Sequence, residues 1–155
     1  MKTAHRNASH AKRAARPTAW FDAIASSRPP PEEHATTVVN RVRTAFEALK
    51  NGSTDCAQFD RLAACINVGL IRAEQIDPFA VQTMVAAIEA MARCDAIYGK
   101  HRRYGFTGPD LNAVADAVSM YEDILRNSTP HQMDAAVHES ARRMIAQVKA
   151  ERMAA

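Results

Sequence analysis

The strongest constraint on the fold is the segment from Thr107 to Leu125. Leu111, Val114, Val118, Tyr121 and Leu125 recur at offsets of 0, 3, 7, 10 and 14 residues, which puts all five on one face of an α-helix. Ala115 and Ile124 widen that face. Thr107 and Asp110 have the spacing of a capping box, in which each side chain satisfies a backbone N–H left free by the first helical turn. Pro109 suits that turn because its missing N–H removes nothing there. Arg126 complements the negative end of the dipole. A helix with one apolar face must bury it, so this segment predicts a core helix in a multi-helix domain.

The rest of the chain repeats the pattern. Helix one is expected from about Glu33 to Lys50, with Val39, Val42, Phe46 and Leu49 as its stripe and Asn51-Gly52 as its stop. Helix two starts near Asp55, which forms a capping box with Gln58, and buries Phe59, Leu62, Ile66 and Leu70. Gly69 in its interior points to a close helix contact. Helix three opens at Asp77-Pro78 and aligns Met84, Ile88, Met91 and Asp95, with Val81, Val85 and Ala92 broadening the apolar side. Helix five follows Thr129-Pro130-His131-Gln132 and is expected to turn Met133, Val137, Ala141, Met144 and Val148 inward. With few glycines and few β-branched runs, the fold class is all-α: a compact bundle or array of about five helices.

Residues 1–33 read differently. The first 16 have no acid and no apolar period, Pro17 breaks any helix, and Pro29-Pro30-Pro31 makes a stiff spacer. A flexible basic, proline-rich arm over 1–33 and a helical domain over 34–155 follow. Six of the 20 basic and three of the 17 acidic residues precede His34, leaving 14 of each in the domain. The excess charge of +3 therefore sits on the arm, in Lys12, Arg13 and Arg16 among others. Between the prolines, Trp20, Phe21 and Ile24 fall on one helical face. They make either a short helix docked on the core or a linear motif that folds on a partner.

Three cysteines, Cys56, Cys65 and Cys94, are too few and too widely spaced for a disulfide framework and read as reduced, half-buried residues. No apolar run reaches membrane-spanning length, and the basic start lacks the apolar core of a secretory signal, although an arginine-rich, acid-poor start also fits an organelle transit peptide. A cytoplasmic location with no membrane partner is the expectation.

Two basic surfaces stand out. The first is Lys100, His101, Arg102 and Arg103, between Gly99 and Gly105, where an acidic partner or a phosphate has room to dock. The second is the outer face of helix five, where His131, His138, Arg142 and Lys149 align. Both have an ordinary reading as solvated charge. Enzyme signatures are lacking. The Gly99–Gly105 loop is no Walker loop, and no histidine pair has the i, i+4 spacing of a zinc helix. No Ser–His–Asp or Cys–His set can be nominated. No helix has the polar, basic face of a recognition helix. No metal, cofactor or catalytic residue is expected.

The segments Phe59-Asp60, Ile66-Asn67-Val68, Arg103-Tyr104-Gly105-Phe106-Thr107-Gly108-Pro109-Asp110-Leu111 and Tyr121-Glu122-Asp123-Ile124-Leu125, with Ala48-Leu49 and Gly52 before them, resemble a group of small helical proteins. These come from β- and γ-proteobacteria, their plasmids and prophages, and are labelled Fis-family transcriptional regulators. The resemblance spans roughly Phe46 to Val137 and implies a bacterial, cytoplasmic, helical protein with a link to DNA. Two functional readings follow. The first is a non-enzymatic interaction or regulatory protein whose macromolecular partner is another protein, with the arm as an accessory contact. The second is a DNA-associated transcriptional regulator that uses the arm, the 100–103 loop and the last helix on phosphates. The oligomeric state is left open, a homodimer included.

Overall fold

Cap chemistry and apolar period build five helices in order: α1 (Glu32–Lys50), α2 (Cys56–Ala73), α3 (Pro78–His101), α4 (Gly108–Asn127) and α5 (Pro130–Ala154). The structure, a computed structural model, describes residues 30–154. The arm residues Lys12, Arg13, Arg16, Trp20 and Phe21 lie outside the described residues. The described fold is all-α, and α2 is its axis, packing against all four other helices.

The cap predictions resolve individually. Thr107 Oγ1 accepts from Asp110 N–H at 3.5 Å and donates to its carboxylate at 2.7 Å. Thr129 and Gln132 form a reciprocal box, at 3.2 and 2.9 Å. Asp55 caps α2 through Ala57 N–H at 2.9 Å, but Gln58 does not reach back; its side chain accepts from Arg61 instead. Asp77 is the N-cap of α3 with no side-chain bond. At the end of α1, Gly52 takes the left-handed conformation at φ 81°.

The core collects Leu49, Leu62, Ile66, Met84 and Val114, all at 1% exposure or less. Gly69 lies where α2 meets α3 and α4: a Cβ there would stand 2.8 Å from Met84 Cε and 3.3 Å from Tyr121 Cδ2. The expected close contact is real. The inner face of α3 is rotated from expectation. Ala80, Met84, Ala87, Ala90, Met91 and Cys94 are buried, whereas Val85, Ala92 and Asp95 are exposed. Small side chains let α3 approach its neighbours closely, and a reading that follows large apolar residues passes over alanine.

Three further expectations are corrected. Gly99 does not bound a loop, because α3 runs on to His101. The chain reverses at Arg102, the one described non-glycine residue with positive φ (57°), whose N–H bonds to Tyr98 O at 2.8 Å. The cysteines are not alike: Cys56 is exposed, Cys65 intermediate and Cys94 buried.

The largest correction concerns α5. Met133 and Ala136 are buried, but Val137, Met144, Ile145, Val148 and Met153 are 51%, 53%, 70%, 43% and 81% exposed. Ser140, Arg143, Met144 and Gln147 line a small crevice together with Asn67, Leu70 and Ile71 of α2. Arg143 forms a two-pronged ion pair with Glu74, both bonds 2.8 Å. At about 100° per residue, the side facing α2 and the apolar stripe lie roughly 100° apart around the helix. The polar side is thus anchored, and the stripe faces outward.

Candidate functional site

The loop after α3 is held from below. Tyr104 is buried and stacks between Phe59 (centroids 4.9 Å apart) and Tyr98 (4.3 Å). Its N–H donates to Ser53 O at 2.9 Å. Burial pushes the Tyr104 phenol well above its ordinary pKa, so it stays neutral. With Tyr104 fixed, His101 and Arg103 turn toward the end of α1. There, with Lys50 and the Asn51-Gly52 turn, they line an open concavity of about 440 Å3. The predicted basic loop therefore splits. His101 and Arg103 enter the concavity, while Lys100 and Arg102 do not line it. Lys50 is the cation that sequence reasoning missed, because its partners are about 50 residues away in the chain. It also bonds to Glu47 at 3.3 Å.

Two cations and an imidazole on one concave surface suit a phosphate or carboxylate. They also suit the backbone, because the C-termini of α1 and α3 converge here and cations offset the negative ends of helix dipoles. The positive end of α4 is close by, but Asp110 occupies it. Arg93 binds the Asp110 carboxylate at 2.8 and 2.9 Å. That guanidinium, and then Thr107, hold the carboxyl below its ordinary range. Asp110 is buried, and it acts as a structural lock rather than a proton carrier.

On α5, His131, His138, Arg142 and Lys149 are exposed on one side, as their spacing predicts. Arg142 is partly neutralised by Glu139, at 2.7 and 2.9 Å. Arg142 and Arg143 together hold Glu139 at about 2. The two basic surfaces stay separate: the loop is tied to Ser53 and Phe59 at the start of α2, and α5 is tied through Arg143 to Glu74, just past its end.

The apolar face of α5 was not foreseen as a surface. Its residues have the same period as a core helix, so no signal in the pattern separates the two cases. Ile76 and Phe79, just past Glu74, are exposed as well, at 53% and 65%. Chemistry elsewhere is quiet. Burial raises the Cys65 and Cys94 thiols, which disfavours the thiolate. Among the described residues, no group of three or more His, Cys, Asp or Glu is placed to hold a metal ion. No described helix is long and apolar enough to cross a membrane. Comparison with protein-family models, with curated proteins and with solved structures returned no match to this chain.

Proposed function

We propose that this chain is a non-enzymatic, cytoplasmic interaction protein of the regulatory kind, and that it docks a protein partner on the outward face of α5. The observation that supports this is the row of large apolar side chains, Val137, Met144, Ile145 and Val148, left in solvent along a helix anchored by its other side. A contiguous apolar strip rimmed by Lys149 and Arg152 has the anatomy of a helix-in-groove or helix-on-helix contact. The test is affinity capture with the full-length protein and with an Ile145→Lys, Val148→Lys variant. Specific partners should be retained by the first and lost from the second. An identical set of captured proteins sinks the reading.

A second reading, a DNA-associated regulator, draws on the convergence of Lys50, His101 and Arg103 and on the resemblance to Fis-labelled proteins. Phosphate contacts make affinity fall steeply with salt. Under this reading duplex DNA is retained at about 50 mM salt, and Lys50→Glu with Arg103→Glu flattens the salt dependence. Absence of retention at that salt removes it.

A further inference from the structure

The described chain begins beside the foot of α5's outward face. Pro30 and Pro31 line, with Leu125, Pro130, Met133 and Asp134, a groove of about 300 Å3. At about 100° per residue, Pro130, Met133 and Asp134 project from the same side of α5 as Val137, Ala141, Met144 and Val148. The groove by which the arm joins the helical domain therefore opens onto the exposed stripe.

The 29 residues before Pro30 include Trp20, Phe21 and Ile24, which share one helical face. From this continuity we infer that the Trp20-Phe21-Ile24 segment of the chain's own arm covers the outward face of α5. The inference rests on reading that face as a docking surface, and it adds a regulation: a protein partner gains the face by displacing the arm.

The lengths agree. Met133 to Val148 spans roughly 22 Å of helix. The ten residues from Trp20 to Pro30 can span up to roughly 33 Å, enough to bring the aromatic pair to Ile145 and Val148. Tethering raises the local concentration of the segment to the order of millimolar, enough for a contact of a few side chains to be populated.

Trp20 is the protein's one tryptophan, so its emission reports on the arm. In the full-length native protein, emission should lie to the blue of the urea-unfolded protein. It should stay constant over a roughly hundredfold range of protein concentration. Ile145→Lys with Val148→Lys, and Ile145→Lys alone, should shift it toward the unfolded value with helix content by circular dichroism unchanged. Ala146→Lys, on the opposite side of α5, should leave it in place. Four outcomes overturn the inference: native emission equal to the unfolded value, a blue shift unmoved by the stripe variants, one moved equally by Ala146→Lys, or one that grows with concentration and so assigns the face to a second copy. The docking reading is judged separately by affinity capture. Partners lost on Ile145→Lys, Val148→Lys while Trp20 emission does not move would keep the face as a docking site and remove the arm as its occupant.

Discussion

Helices α4 and α5 are near twins as sequences and opposites as structures. Each opens with a threonine capping box and a proline in the first turn, and each carries an apolar residue every three or four positions. Yet α4 buries Val114, Ala117, Val118, Tyr121, Ile124 and Leu125, whereas α5 buries Met133 and Ala136 and leaves the rest of its stripe in water. Periodicity says which side of a helix is apolar; whether another element is there to cover it is decided elsewhere. Here α1, α2 and α3 close around α4, and α5 has only α2 to lie on in its outer half.

The sharpest way to break this comparison is to truncate the same residue type in both helices. Ile124→Ala should lower unfolding free energy by about 3 kcal/mol, because it leaves a cavity in a close-packed core. Ile145→Ala should cost clearly less, at most about 1 kcal/mol, because no other described helix packs on that side chain. Chemical denaturation of the two variants checks this, and equal losses would mean that α5 is buried in solution. Overpacking tests the α4 side next. Gly69→Val pushes into Met84 and Tyr121 and should cost about 2 kcal/mol, read as a lower Tm.

The caps differ as well. Asp110→Ala should cost about 2 kcal/mol at pH 7, since it removes hydrogen bonds to Arg93 and Thr107. Thr129→Ala should cost about 1 kcal/mol. The Asp110 carboxyl titrates below its ordinary value of 3.8 in the folded protein. Its contribution is therefore fully present above that value and is lost as pH falls through the lower folded one. The gap between wild type and Asp110→Ala should close in acid, while the Thr129→Ala gap, with Gln132 as partner, stays flat over the same range. A parallel response would undo the assignment of the lock. The smallest effect belongs to the anchor of α5: Arg143→Ala removes a solvent-screened surface pair with Glu74 and should leave the unfolding midpoint nearly unchanged. Hydrogen exchange should nonetheless show faster opening of residues 141–154 than of 114–125.

Much of the architecture was readable in the chain. Thr107, Thr129, Pro78 and Gly52 fix helix ends through local chemistry that operates within four residues, so no tertiary knowledge is needed. The face of α3 was less readable, because Ala80, Ala87 and Ala90 pack by being small, and a small residue leaves no apolar signal. Of the candidate site, His101 and Arg103 were legible as a basic loop and the solvent side of α5 as a basic stripe. Lys50 and the Asp110–Arg93 lock were not, since each depends on which helices become neighbours.

The sequence by itself determined an all-α chain of five helices and, α3 apart, the apolar stripe on each, because hydrogen bonding and side-chain period act locally. Only the tertiary structure decided which stripes are covered. Met133 and Ala136 bury one side of α5, Arg143 pairs with Glu74 there, and with no sixth described helix to receive it, the stripe from Val137 to Val148 faces outward. That outcome depends on the number and placement of neighbours, a property of the assembled fold that no window of residues contains.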